Sequence, residues 1–160
     1  VIKKLIGIPT PPIYNFPSPL SNIIDGILVV EDKRLHIGKQ YLATLSPYFH
    51  ELFFGGCKEN YMYEIPLEYV DYDEFVELLY AVYPPRKPVT EATVECLLRL
   101  GDEFDVEIVT YECEQFLCGE CSWKIPLEKK LLWADRYGLA SLQYICLNKI
   151  KTIDEVRMIK

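Results

Sequence analysis

The cysteines are the residues of this sequence whose type and spacing come nearest to those of a metal site or a redox site. Cys118-Gly-Glu-Cys121 has the spacing of half a zinc site or of a redox dithiol, and Cys113 lies shortly before it. A structural zinc site needs four ligands, and the two histidines, His36 and His50, belong to other parts of the chain. We therefore expect incidental free thiols in a loop between helices, without metal or cofactor, and keep zinc or redox chemistry as the alternative.

Other residues with catalytic potential are not arranged as a reaction would require. Asp102 and Asp135 occupy equivalent places in an internal repeat and have no nucleophile or base nearby in sequence. His36 and His50 do not have the spacing of a catalytic triad with a Ser or Cys and an acid. Gly55-Gly56 is not followed by the Lys-Ser/Thr pair that grips phosphates. The sequence therefore predicts no catalytic residues and disfavours nucleotide binding.

Length and charge narrow the class of protein. With 160 residues, half of them hydrophobic, the chain has room for one globular domain and a small helical annex. Its 24 acidic residues against 17 basic ones give a net charge of -7, and without a basic run nucleic acid is not expected as a partner. Apolar stretches such as 23–30 are too short to span a membrane.

The cysteine content bears on the cellular compartment of the chain, and the first residue bears on whether it is part of a longer protein. Six cysteines are few for this length, which favours free thiols in a reducing compartment and hence an intracellular protein, with cytoplasm and nucleus left open. The sequence starts at Val1 rather than Met, so we expect a piece of a longer protein.

The first third of the chain predicts an arm followed by short strands. Five of the eleven prolines fall within the first 19 residues, and because proline opposes helix formation we interpret 1–22 as an extended arm or linker. The apolar run 26–31, the turn pair Asp32-Lys33 and the run 34–37 predict a hairpin, and 63–67 predicts a third strand.

Helix-capping residues mark the helices that follow. Ser46-Pro47 supplies an N-cap and a proline at the first helical position for a helix over 48–54, which Gly55-Gly56 ends. Asp71 and Glu74 resemble a capping box that opens another helix, ended by two consecutive prolines.

The rest of the chain contains a duplicated helix hairpin. From Gly101 to Ala134 the offset is 33 residues, and the same offset relates several further residues. The matched pairs are Leu98 with Leu131, Asp102 with Asp135, Phe104 with Tyr137 and Cys113 with Cys146. We expect two stacked hairpins with one core, with Leu98 and Leu131 in matching core positions. Thr152 and Glu155 resemble a further capping box and predict the start of another helix.

Three groups of residues together resemble the BTB/POZ domain over about residues 23–117. They are Asp25-Gly-Ile-Leu-Val-Val30, Leu42-Ala43-x-x-Ser46-Pro47-x-Phe49, and Glu64-Ile-Pro-Leu67 with the helix that follows it. The branch in which a BTB domain follows a MATH domain is especially similar, and the hairpin 126–150 is similar to the three-box or BACK helices of cullin-binding adaptors. The resemblance implies an α+β BTB/POZ fold, in which a small β-sheet is flanked by helical hairpins, with a truncated helical extension over 118–160.

The same resemblance implies a function. Adaptors of this kind bind the N-terminal domain of cullin-3 and present to a ubiquitin ligase a substrate held by another domain, which here would lie outside the chain. The family's hydrophobic-x-Glu motif corresponds to Cys57-Lys-Glu59, where an apolar anchor would enter a groove on the cullin and the carboxylate would fix the register. By resemblance, Phe49, Phe54 and Tyr83 would supply neighbouring aromatic surface.

Departures from the family pattern support an alternative. Cys57 stands where the family more often has Met, Leu or Phe, which favours a BTB oligomerisation scaffold without cullin binding. Of the family's charged pocket, Lys39 facing Asp25 remains, and the resemblance implies homodimers although the proline-rich arm opposes the helix that family dimers use. For four tyrosines an interface role and packing on the sheet are equally open: Tyr61, Tyr63, Tyr69 and Tyr72.

Overall fold

The computed structural model describes residues 15–17, 25–56 and 62–158, with the main chain alone for 152–158. Within these residues the chain forms three β-strands and seven α-helices. The strands are β1 (Gly26–Val30), β2 (Lys33–Ile37) and β3 (Glu64–Leu67). The helices are α1 (Lys39–Leu45), α2 (Pro47–Phe54), α3 (Tyr72–Val82), α4 (Val94–Glu103), α5 (Glu107–Cys118), α6 (Leu127–Arg136) and α7 (Ala140–Met158). Most of the predicted arm 1–22 lies outside the described residues.

The sheet has the strand order β2-β1-β3. β1 pairs with β2 in antiparallel fashion through a tight turn at Glu31 and Asp32, whose φ angles of 48° and 62° give the strands the twist of a two-residue hairpin. The turn is therefore one residue earlier than the pair predicted from sequence. β3 returns parallel to β1, and four of the five residues of the central strand β1 are buried.

The predicted helix caps are present. The Ser46 hydroxyl accepts a hydrogen bond from the main-chain N–H of Phe49 at 3.0 Å, and Pro47 is the first residue of α2. The Asp71 carboxylate accepts from the N–H of Glu74 at 3.0 Å and opens α3. Short polar side chains at these positions accept hydrogen bonds from the free main-chain N–H groups of the first helical turn. The starts of both helices could therefore be predicted from the sequence.

The 33-residue repeat is confirmed in the main chain. Helices α6 and α7 begin 33 residues after α4 and α5. In the first hairpin the N–H of Val106 donates to the carbonyl of Gly101 at 2.7 Å, and in the second the N–H of Leu139 donates to that of Ala134 at 2.9 Å. The turns also match, with positive φ at Asp105 and at the equivalent Gly138. The two hairpins are thus copies of one local structure.

Small residues in the repeat allow close packing of crossing helices. A Cβ placed on Gly101 would lie 3.0 Å from Oγ1 of Thr110 and 3.5 Å from Cγ1 of Val109, both on α5. The equivalent residue of the second hairpin, Ala134, is buried. The core position of the repeat is less symmetric than predicted, since Leu98 is fully buried whereas Leu131 is half-buried.

One hydrophobic core continues from the sheet into both hairpins. At its centre the ring of Phe49 stacks on Phe104 with centroids 5.3 Å apart and meets Phe75 edge-on at 6.3 Å. At one side Phe16 is buried beside Tyr83, with ring centroids 5.1 Å apart, and its carbonyl accepts from the N–H of His36. This residue of the predicted arm is therefore part of the core.

The last helix differs from the prediction. A new helix was expected to start at Thr152, but α7 runs without interruption from Ala140 to Met158. No glycine or proline occurs in this stretch, so nothing in the sequence breaks the helix that Ala140 begins. None of the helices in the described part of the chain is long and apolar enough to cross a membrane.

Candidate functional site

The predicted cullin-binding loop connects α2 to β3. α2 ends where the N–H of Gly55 donates to the carbonyl of Glu51 at 2.8 Å, and Gly56 then adopts a φ of 88° that suits glycine. Residues 57–61 are not described, so the predicted contacts Cys57 and Glu59 lie outside the described residues. What the structure defines is the surface on either side of this loop.

The three aromatic residues predicted beside the loop are placed very differently. Phe54 is 49% exposed at the end of α2. Phe49 is buried, because it lies on the inner face of α2 between the rings of Phe75 and Phe104. Tyr83 is also buried. The prediction that Phe49 and Tyr83 supply aromatic surface is therefore wrong, and only Phe54 does so.

Tyr83 is buried because its polar end has a partner. Its hydroxyl accepts a hydrogen bond from the N–H of Gly38 at 2.9 Å, and its ring lies 4.8 Å from that of Tyr41. The hydroxyl of Tyr41 in turn donates to the carbonyl of Val82 at 2.8 Å. These contacts join the start of α1 to the end of α3, a structural role that needs no partner protein.

Two residues on the far side of the loop add exposed apolar surface. Met62 is 45% exposed and Tyr63 is 75% exposed immediately before β3. Of the four tyrosines left open by the sequence, Tyr61 lies outside the described residues, and Tyr63 and Tyr69 are exposed. Tyr72 is half-buried, with the ammonium of Lys33 4.2 Å from its ring centroid. Sequence reasoning did not single out Met62, whose isolated apolar side chain gave no pattern.

Asp25 and Lys39, predicted as a facing pair, are brought together through the main chain. The Asp25 carboxylate accepts a hydrogen bond from the main-chain N–H of Lys39, the first residue of α1. Gly38, at the N-cap, has no side chain to do this, so Asp25 caps the helix from a distance. The Lys39 ammonium instead lies 5.9 Å from the centroid of the Phe53 ring.

The cysteines and aspartates considered above as metal ligands or catalytic residues do not form a common site. Cys113 is buried and Cys121 is exposed, and burial, reinforced by nearby Cys96 and Glu112, raises the pKa of the Cys113 thiol to about 12. Asp102 and Asp135 are exposed at the ends of equivalent helices. In the described ranges there is no group of three or more His, Cys, Asp or Glu side chains that could hold a metal ion.

Comparison with known proteins gives consistent matches. A family model described as the BTB/POZ domain matches residues 18–121. The chain is 42% identical over 160 residues to BTB and MATH domain-containing protein 38 of Caenorhabditis elegans, covering 100% of this chain and 41% of that protein. It is 35% identical over 159 residues to BTB and MATH domain-containing protein 36 of the same organism, covering 99% and 49% respectively. The chain thus spans less than half the length of these relatives.

More distant matches extend the comparison. Kelch-like protein 28 of Homo sapiens is 30% identical over 136 residues, covering 79% of this chain and 23% of that protein. Among solved structures, the BTB domain of human Gigaxonin superimposes with a TM-score of 0.50 at 21% identity, covering 59% of this chain and 77% of that chain. The likeness confirms the α+β fold class predicted from sequence.

Proposed function

The chain belongs to the BTB/POZ domain family, and from this premise we propose that it binds cullin-3 as a non-enzymatic substrate adaptor of a ubiquitin ligase. A protein-interaction role follows from the family and its BTB-MATH and Kelch-like relatives. In this proposal the loop after α2 contacts the N-terminal domain of the cullin. The substrate is held by a domain outside this chain.

The observation that carries the proposal is the exposed apolar surface on both sides of the loop. Phe54 on one side, and Met62 and Tyr63 on the other, expose between 45% and 75% of their surface. Large apolar and aromatic side chains of this kind are typical anchors of protein interfaces. With Phe54 as a neighbouring anchor, Cys57 does not have to supply all of the apolar contact, and Glu59 can fix the register through its carboxylate.

A second candidate function is an oligomerisation scaffold without cullin binding. The observation that favours it is the small side chain of Cys57, which buries less apolar area than a Met, Leu or Phe anchor. In this candidate the exposed residues beside the loop would contact another copy of the chain or a different protein.

Calorimetric titration of the chain with the N-terminal domain of cullin-3 tests the first proposal. We expect binding that Glu59→Lys weakens at least about tenfold, because the change reverses the charge that fixes the register. The matched control is Glu68→Lys, which makes the same change at an exposed residue beyond β3. β3 is parallel to β1 and its first residue pairs with Ile27, so Glu68 lies at the opposite end of the sheet from the loop.

The possible outcomes separate the two candidates. Absence of binding by the folded, unmodified chain would contradict the adaptor proposal. Light scattering on the same sample would then decide on the scaffold, because a dimer or larger assembly supports it and a monomer contradicts it. Equal weakening by Glu59→Lys and Glu68→Lys would mean that overall charge rather than the loop governs binding.

A further inference from the structure

A groove lies at the end of the sheet where β1 and β3 both finish. It has a volume of about 740 Å³ and is formed by the turn between β1 and β2 together with the segment between β3 and α3. The last pair of the two parallel strands, Val30 with Leu67, marks its position. Because the loop between α2 and β3 precedes the first residue of β3, this sheet-end groove is at the opposite end of the sheet from the proposed cullin contact.

The floor of the sheet-end groove is apolar. Val29 is half-buried and pairs with the exposed Pro66 on the face of the sheet that points away from the core. Beside them Leu67 and Val70 are almost fully buried and hold the segment between β3 and α3 against the core. Pro66 has no main-chain N–H, which disfavours addition of a further strand along β3. The floor therefore suits contacts with apolar side chains rather than strand addition.

Tyr69 lines the same groove and projects into water. Its side chain is 95% exposed, although Leu67 and Val70 on either side of it are buried. Its φ of 63° is a left-handed conformation that glycine or asparagine adopts more readily than tyrosine. At this exposure the ring packs on almost nothing in the described part of the chain, so the fold gains little from an aromatic residue here. An exposed aromatic ring of this kind is typical of an anchor that packs against a partner.

Carboxylates surround the apolar floor. Glu31 and Asp32 lie in the hairpin turn, Glu68 and Asp71 lie before α3, and all four are exposed. The Asp71 carboxylate caps α3. The other three form no ion pair with any basic side chain that the structure describes. No Lys or Arg is among the described residues that line the groove, so its rim is uniformly acidic.

The two basic residues that follow the hairpin turn interact with other residues. The ammonium of Lys33 lies 4.2 Å from the centroid of the Tyr72 ring. The guanidinium of Arg34 forms an ion pair with Glu64 at 2.8 Å. Neither of these basic residues lines the groove. The carboxylates of the rim therefore repel one another, and a cationic group that enters between them would relieve this repulsion.

We propose that the sheet-end groove docks a segment of a partner protein in which Lys or Arg side chains lie next to a large apolar side chain. The basic groups contact the carboxylates of Asp32 and Glu68, and the apolar side chain packs on Tyr69 and on the floor. Charge complementarity to the acidic rim selects the basic groups. A free metal ion would use the carboxylates but neither the apolar floor nor the ring. The site is separate from the loop between α2 and β3 and goes beyond the proposed cullin contact.

Selection from a library of random short peptides displayed on phage tests this inference. Peptides captured by the chain are screened for loss of binding to Tyr69→Ala, and circular dichroism checks that this variant is folded. We expect the peptides that depend on Tyr69 to be enriched in Lys or Arg adjacent to apolar residues. Failure to obtain such peptides, or enrichment of acidic ones, would overturn the proposal.

Charge-reversal variants then test the role of the acidic rim. Glu68→Lys is expected to weaken binding of a selected basic peptide at least about tenfold, and Glu68→Gln should weaken it less. Glu112→Lys is the matched control, since this exposed residue lies on α5 and does not line the groove. Equal weakening by Glu68→Lys and Glu112→Lys would mean that the net charge of the chain governs binding, which would overturn the proposal.

Main-chain amide signals in nuclear magnetic resonance spectra show where the peptide binds. We expect the signals of Asp32, Glu68 and Tyr69 to shift on titration and that of Tyr144, an exposed residue of α7, to stay in place. A shift of the groove signals on raising the protein concentration alone would instead assign the groove to a second copy of the chain. Loss of cullin binding by Glu68→Lys would assign it to the cullin interface, and either result would contradict a separate basic partner.

Discussion

The side-chain hydroxyl of Ser46 donates a hydrogen bond to the main-chain carbonyl of Phe104, 58 residues away along the chain, at 2.6 Å. The same hydroxyl accepts from the N–H of Phe49, and Ser46 is 1% exposed. One buried hydroxyl thus caps the start of α2 and donates a hydrogen bond to a main-chain carbonyl at the end of α4. Because α4 belongs to the first hairpin of the repeat, this contact joins the repeat to the sheet-bearing part of the domain.

Ser46→Ala is expected to destabilise the chain by about 2 kcal/mol, since it removes an N-cap and leaves the Phe104 carbonyl buried without this donor. Urea unfolding followed by circular dichroism measures the loss. The matched control is Thr44→Ala, which removes an exposed hydroxyl that bonds only within its own helix turn. Equal losses in the two variants would contradict the structural role of Ser46.

The aromatic residues of α2 offer a second comparison. Phe49→Ala is expected to cost about 3 to 5 kcal/mol of unfolding free energy, because the ring is buried between other phenylalanines. Phe54→Ala removes a half-exposed ring and should cost well under half as much while weakening cullin binding. Urea unfolding and calorimetric titration give the two numbers. A Phe49→Ala variant as stable as the unmodified chain would contradict the burial of this ring in the core.

Local features of the fold were predictable because their causes lie close together in sequence. Ser46-Pro47 and Asp71 marked helix starts, since the capping side chain and the N–H it satisfies are three residues apart. The duplicated hairpin was predictable for the same reason: the turn bonds of Gly101 and Ala134 reach only to Val106 and Leu139.

Features that depend on long-range packing were not predictable. The burial of Tyr83 rests on Gly38, 45 residues earlier, and no local pattern connects the two. The residues of the predicted cullin contact were assigned by family resemblance, which identifies motif positions but not which aromatic rings face inward. The burial of Lys130 did have a signal in the sequence, because the repeat aligns this lysine with Leu97, which is also buried.

The two leucines at the matched repeat position are expected to differ in their contribution to stability. Leu98→Ala should cost about 2 to 5 kcal/mol, since Leu98 is fully buried and its truncation leaves a cavity. Leu131→Ala should lower the unfolding free energy by about half as much, because part of the Leu131 side chain is already exposed to water in the folded chain. Leu132→Ala, at a residue that is 64% exposed, is the control. Equal losses for Leu98 and Leu131 would show that the second hairpin is packed as tightly as the first.

Alkaline pH should unfold the chain partly through Cys113. Burial raises the pKa of this thiol from about 9 to about 12, so the folded state holds its proton in a range where the unfolded chain releases it. The associated stability is fully present below about pH 9 and is lost as the pH rises toward about 12, up to about 4 kcal/mol in all.

Urea unfolding at a series of pH values measures this loss. Above pH 9 the unfolding free energy of Cys113→Ala should therefore decline less steeply than that of the unmodified chain. Cys121→Ala, which removes an exposed thiol, should keep the original decline. A Cys113→Ala profile parallel to that of the unmodified chain would mean that this thiol reaches water before the chain unfolds.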